Sequence, residues 1–260
     1  MKQEVRFGPA GFGMPALEAL PKLKHLGLNA AEVEFTYGIR MSVADAKKIG
    51  ELAKKLDIAL SVHAPYYINL ASNEKKKIEL SKHRILESCE RAHYLGAKYV
   101  VFHAAYYGKH SKEECYKIVK QAILEMQQVI KQKKWQVSLA PETTGKVSQF
   151  GSLDELLKLA KETGCNFCID FAHLEAREQK INYKEIFDKL KQLKLKHIQA
   201  HFSGIEYTSK GERRHIVTPE SKLRELLSYV KRYNLSITII NESPLPWEDS
   251  IKGLKIWKNL

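Results

Sequence analysis

Short apolar runs rich in β-branched and aromatic residues alternate along the chain with longer stretches whose apolar side chains recur every three or four positions. The runs are Glu4–Phe7, Ala31–Phe35, Ile58–His63, Lys98–His103, Gln136–Glu142, Asn166–Asp170, His197–Phe202 and Ser236–Glu242. The longer stretches include Ser42–Leu56, Lys75–Leu95, Lys112–Lys131, Ser152–Thr163, Tyr183–Leu193 and Glu220–Tyr233. Near-continuous apolar runs predict strands buried on both faces, and the spacing of three and four predicts amphipathic helices. Asp154 and Glu155 load the first turn of one such helix, where the dipole favours negative charge. Strands that alternate with helices imply a parallel sheet, and eight βα units in ~250 residues fit a single α/β (β/α)8 TIM barrel. The competing architecture is an open doubly wound sheet. It uses fewer strands and often a Gly-rich first turn, and the chain carries neither G-x-G-x-x-G nor G-x-x-x-x-G-K-[ST]. No Pro/Gly/Ser-rich linker interrupts the pattern, so residues 1–260 are expected to form one barrel domain.

Composition agrees with a globular protein: 44% of residues are hydrophobic and 28% charged. No apolar run approaches the ~18–20 residues of a membrane span. Met1 to Phe7 has no apolar h-region, and four cysteines suit a reducing compartment, so a cytoplasmic location is expected. Cys165-Asn-Phe-Cys168 has no second pair and reads as buried, inert thiols. The excess of 43 Lys+Arg over 30 Asp+Glu, a formal +13, admits nucleic acid, an anionic substrate or a merely Lys-coated surface. Much of it falls on helical stretches such as Lys75–Lys77 and Lys131–Lys134, expected to lie away from the strand ends.

The chemistry collects where the runs finish. The third ends at His63, the fourth at His103, the fifth at Glu142, the sixth at Asp170 with His173 close behind, the seventh contains His201, and the eighth ends at Glu242. In a barrel these ends converge on one mouth, where active sites lie. Imidazole nitrogen and carboxylate oxygen are the donors that Zn²⁺ and similar divalent ions take. Several carboxylates buried together are costly unless a shared cation compensates them. With His215 added, the set exceeds what one tetrahedral ion can use. Two or three neighbouring ions suit displacement at phosphorus, with a bridging carboxylate holding them ~3.5–4 Å apart. Glu142, in the middle of the set, is the candidate for that bridge and for the catalytic centre. Tyr106 and Tyr107, just after His103, either line a groove there or cap the barrel.

The sequence resembles the endonuclease IV family of DNA-repair enzymes, within the xylose-isomerase-like TIM barrels. The segments that carry the resemblance are Val-His63-Ala-Pro-Tyr66, Phe-His103, Pro-Glu142-Thr-Thr-Gly-Lys, Cys-Ile-Asp170-Phe-Ala-His173, Ala-His201-Phe-Ser and Asn-Glu242-Ser-Pro, in this order between about Ala31 and Pro244. The resemblance implies a zinc centre of two or three ions, with Mn²⁺ as the alternative metal. His63, His103 and Glu142 would hold one ion; Glu142, Asp170, His201 and Glu242 a second; His173 and His215 the third. It implies hydrolytic incision of duplex DNA 5′ of an abasic site by a monomer, with removal of 3′-blocking groups as a second activity. Arg40 and Tyr66 match the family's DNA-binding positions, where a guanidinium or a ring can stack in the gap. Two departures stand out. Arg213 replaces the family's aspartate in Arg213-Arg214-His215, leaving Glu212 as the nearest carboxylate. Arg6-Phe7-Gly8-Pro9 stands where the family has a histidine-containing turn. The competing expectations are a sugar isomerase or epimerase with one ion held by Glu142, Asp170, His201 and Glu242, and a non-catalytic DNA-binding relative.

Overall fold

The computed structural model describes residues 3–193 and 195–260. The eight apolar runs form eight parallel strands: β1 (Val5–Pro9), β2 (Ala30–Glu34), β3 (Ala59–His63), β4 (Tyr99–Phe102), β5 (Ser138–Pro141), β6 (Cys168–Asp170), β7 (Ile198–Phe202) and β8 (Ile237–Asn241). They pair as two four-stranded sheets, β1-β8-β7-β6 and β2-β3-β4-β5. Parallel bridges Ala10↔Glu32 and Glu142↔Cys168 close the two seams into a TIM barrel. At the first seam Gly8 lets β1 press against β2. A Cβ there would stand 1.8 Å from the Ala30 carbonyl oxygen.

The helices surround the strands: α1 (Ala16–His25), α2 (Val43–Leu56), α3 (Lys75–Leu95), α4 (Lys112–Gln132), α5 (Leu153–Thr163), α6 (Phe171–Glu178), α7 (Tyr183–Gln192), α8 (Glu220–Tyr233) and α9 (Pro246–Lys258). Ser42, Ser111 and Ser152 cap α2, α4 and α5, and the last two form capping boxes with Glu114 and Glu155. Each such cap satisfies amide protons that the helix start leaves orphaned, and contributes about 1 kcal/mol. The main apolar core includes Phe7, Phe102, Phe150, Phe171, Phe187 and Phe202, all essentially without solvent contact. Among the described residues no helix is long and apolar enough to cross a membrane.

Two antiparallel pairs interrupt the βα rhythm. Ala105–Tyr106 pairs with Gln149–Phe150, and Gly204–Thr208 with Gly211–Ile216. One expectation is corrected. Helices of a barrel start at the end where strands finish, so Lys75–Lys77, at the start of α3, stand on the mouth side. Lys131–Lys134, where α4 ends, stand at the opposite end as expected.

Candidate metal centre

The strand ends bring the sequence-distant donors together. His63 is the last residue of β3 and Asp170 the last of β6; His103, Glu142 and Glu242 follow β4, β5 and β8 directly; His201 lies within β7. The buried Glu142 carboxylate is the hub. Its Oε2 lies 3.3 Å from His63 Nε2 and 3.1 Å from His103 Nε2. Its Oε1 lies 3.1 Å from His201 Nδ1 and 3.3 Å from His173 Nδ1. Each oxygen therefore faces a different pair of imidazoles. His63, His103 and Glu142 form one group whose donor atoms all lie within 4.8 Å of one another. Glu142, Asp170, His201 and Glu242 form a second, and Asp170, His173 and His215 a third.

The backbone fixes which ring nitrogens face inward. His63 Nδ1 is 2.7 Å from the Ala64 carbonyl, His173 Nδ1 is 2.9 Å from that of Thr143, and His215 Nδ1 is 3.2 Å from that of Glu242. A carbonyl that accepts the Nδ1 proton leaves the Nε2 lone pair free for a ligand. Consistently, His173 Nε2 and His215 Nε2 stand 3.2 Å apart. Asp170 caps α6 by accepting the His173 amide proton at 2.7 Å, so one carboxylate starts the helix and aims its histidine. Its other oxygen, Oδ2, is buried with no hydrogen-bond partner among the described residues. An orphaned buried carboxylate oxygen among imidazoles is a donor set that fits divalent cations. The buried Arg177 ties down the loop after Glu142, donating to the carbonyls of Thr144, Lys146 and Gln149.

Ionisation is strongly coupled here. Burial opposes the charge on Glu142, but the His201 and His103 imidazoles overcome it and hold the carboxyl well below its ordinary range. Burial alone would lower His63; the Glu142 hydrogen bond and the nearby Glu34 raise it to about 10. Against the effect of burial, His173 is likewise raised by Asp170 and Glu142, and His201 by Cys168 and then Glu32, Glu242 and Glu142.

The Gly204–Ile216 hairpin supplies what the strands cannot. Glu206 pairs with Arg214 and Tyr207 with Glu212, which leaves Arg213 as the unpaired residue of a bulge. A bulge resets the alternation of a strand. Glu212 and His215, three apart, thus face the same way: Glu212 Oε2 lies 3.5 Å from His173 Nε2, while Arg213 is exposed. The loop at Gly145 accepts the Glu212 amide at 3.0 Å, and a Cβ on Gly145 would collide with the Glu212 side chain. Glu212 thus brings a second carboxylate, beside Asp170, to His173 and His215, its Oε1 4.0 Å from His215 Nε2. Arg213→Ala is accordingly expected to leave the bound metal count unchanged, whereas Glu212→Ala lowers it by one ion per chain, read by elemental mass spectrometry after gel filtration.

Two carboxylates escaped the sequence reading, Glu32 and Glu34. They sit two apart on β2, hence on one face of the strand, and their oxygens cluster with those of Glu242. Burial pushes the Glu34 carboxyl up to about 8 against the opposing pull of His63. Above the centre opens a pocket of about 330 Å³ lined by Tyr66, Tyr106 and Lys146 together with His63, His103, His173 and His215. The Tyr66 ring, half exposed, stands edge-on 5.4 Å from the His63 ring. Tyr106 faces this pocket, whereas Tyr107 is buried and donates to Glu155. Arg40 is exposed and lines a neighbouring groove of about 620 Å³ with Phe12, Met14 and Tyr37. The four cysteines are free and buried, and burial raises both Cys165 and Cys168.

The model of the xylose isomerase-like TIM barrel family matches residues 20–257. An uncharacterized protein of Methanocaldococcus jannaschii is 38% identical over 98% of this chain and 97% of its own. A probable endonuclease 4 of Mycoplasma mobile is 30% identical over 53% of this chain, and the match spans about half of that relative, 51%. Among solved structures, a D-tagatose 3-epimerase-like protein superposes with a TM-score of 0.73 over 98% of this chain and 96% of its own at 20% identity, a likeness of fold.

Proposed function

The chain belongs to the xylose isomerase-like TIM barrel family, and from that premise we propose that it is a metal-dependent endonuclease that incises duplex DNA 5′ of abasic sites. The observation that carries this reading is the division of labour at Glu142: one oxygen faces His63 and His103 of one donor set, the other His201 of the second. That is a bridge between two donor sets. A single-ion isomerase would need Glu142, Asp170, His201 and Glu242 alone. It would leave the imidazoles of His63, His103, His173 and His215 unexplained. The partial match to a probable endonuclease 4 points the same way.

In this reading His63, His103 and Glu142 would hold one ion and Glu142, Asp170, His201 and Glu242 a second, with His173, His215 and Glu212 around a third. Zn²⁺ suits the mixed imidazole and carboxylate donors, with Mn²⁺ as the alternative. Such ions supply Lewis acidity, which polarises phosphoryl oxygens and favours ionised water at neutral pH. The chain's own side chains do the rest. Glu142, kept ionised by its imidazoles, holds the two donor sets in register. Lys146, on the pocket wall, balances phosphate charge. Tyr66 and Tyr106 close over the space that an unpaired sugar would enter, and Arg40 approaches the duplex from the adjoining groove. An abasic nucleotide has no pairing to lose, so its extrusion is cheap. Water adds to phosphorus and the bond to the upstream 3′ oxygen breaks, leaving a 3′-hydroxyl; the same displacement would remove 3′-blocking groups. The protein is proposed to act as a single-domain monomer on double-stranded DNA, bound in part through phosphate contacts that weaken steeply with salt.

Metal content separates this reading from the isomerase. Two or three ions per chain, measured on protein loaded with Zn²⁺ and freed of excess, are expected. One ion per chain would favour an isomerase or epimerase instead.

A further inference from the structure

His201 differs from the other imidazoles of the centre. His63, His173 and His215 each set Nδ1 against a backbone carbonyl and turn Nε2 inward. His201 is reversed. Its Nδ1 faces the Glu142 and Glu242 carboxylates, 3.1 Å from each, and no carbonyl holds its far nitrogen. Instead Nε2 lies 2.8 Å from Glu32 Oε1, an ion-pair contact outside hydrogen-bond alignment, and neither atom has a hydrogen-bond partner among the described residues. Glu32 has no solvent contact. Its second oxygen accepts the Ser61 hydroxyl proton at 2.6 Å, and Ser61 Oγ accepts from Gln199 Nε2 at 3.1 Å. β2 and β3 are not paired with β7, so this chain crosses the barrel interior from one sheet to the other.

A barrel interior is normally filled with branched apolar side chains, and a buried carboxylate there is costly unless it is compensated. We propose that Glu32 is a positioning residue, the carboxylate that holds the reversed His201 ring so that Nδ1 points at the metal centre, with Ser61 and Gln199 holding Glu32 in turn. This rests on the metal-centre reading above and adds to it the part of the barrel beneath the donors. A carboxylate behind a ligating imidazole fixes its tautomer and its orientation, and removal of such a partner typically weakens metal binding by roughly 10- to 100-fold.

The test is competition of Glu32→Gln against a chromophoric zinc chelator, with the visible absorption of the Co²⁺-loaded protein as a second readout. The variant is expected to bind the ion held by Glu142, Asp170, His201 and Glu242 roughly 10- to 100-fold less tightly and to show displaced cobalt bands, because the His201 ring is no longer held. Ser61→Ala keeps the carboxylate but removes one of its holders. It should move both readouts in the same direction by less, and it supplies the answer if Glu32→Gln does not fold. Wild-type zinc affinity with an unchanged cobalt spectrum in the variants would overturn the assignment of Glu32 while leaving the metal centre intact. A wild-type protein that binds no metal would overturn both.

Discussion

Glu142→Gln is expected to cut incision by at least roughly 10²- to 10³-fold, the scale on which removal of one charge-stabilising group in an active site acts. Glutamine has nearly the volume of glutamate, so the packing around this buried position is preserved. What changes is electrostatic. Four imidazole nitrogens that now face carboxylate oxygens at 3.1–3.3 Å would face a neutral amide. Both donor sets lose a shared member, so the metal count should fall by more than one ion per chain. Removal of one partner from a buried charge cluster costs about 3–5 kcal/mol, so the cation-free variant should also unfold earlier than the cation-free parent. Circular dichroism checks that the variant folds, elemental analysis counts the ions, and incision is read on the same preparation. A folded Glu142→Gln protein with its full complement of metal and undiminished cutting would refute the bridge.

Removal of metal should destabilise the protein, and the effect should grow with pH. In the cation-free protein the raised His63 value, about 10, means that its imidazole carries a proton at neutral pH. A ligating imidazole must be neutral, so metal uptake releases that proton. Affinity should therefore rise by up to about tenfold per pH unit from neutrality towards 10. The stability of the cation-free form runs the other way. Because His63 is raised in the folded state, its contribution is complete below the unfolded value near 6.5 and is lost as pH climbs towards 10. Glu142, depressed in the folded state, contributes above its ordinary range, and that contribution disappears in acid. At free metal about a thousandfold above Kd, binding adds about 4 kcal/mol, or about 10 °C in Tm for a chain of this size. The gap in Tm between loaded and chelator-treated protein should be wider at pH 9 than at pH 6.5. A gap that closes with rising pH would contradict these ionisation states.

The legibility of this protein follows from where its information lies. The eight strands were readable because each is an apolar run buried on both faces, and Ser42, Ser111 and Ser152 mark helix starts by residue type. The meeting of donors was readable because a parallel barrel delivers every strand end to one place. Glu32 and Glu34 were hidden inside the run Ala31–Phe35; their spacing of two on a buried strand was the available signal. Helix α1 was obscured by Pro21 in its interior, a residue that normally breaks a helix. The arrangement of Glu212, Arg213 and His215 was not readable at all. Simple alternation puts Glu212 and His215 on opposite faces, and only the bulge at Arg213 reverses that. The position where Arg213 departs from the family pattern is thus also where a register shift brings a neighbouring carboxylate to the histidines.

The most direct measurement is incision of a duplex that carries a single tetrahydrofuran abasic analogue by zinc-loaded protein, with and without a chelator. The expected result is one cut immediately 5′ of the lesion, a 3′-hydroxyl on the upstream fragment, no cutting of the undamaged duplex, and loss of activity on chelation that added Zn²⁺ restores. Metal-loaded, folded protein that leaves the lesion strand intact, or that cuts it equally well in the presence of the chelator, would contradict the account.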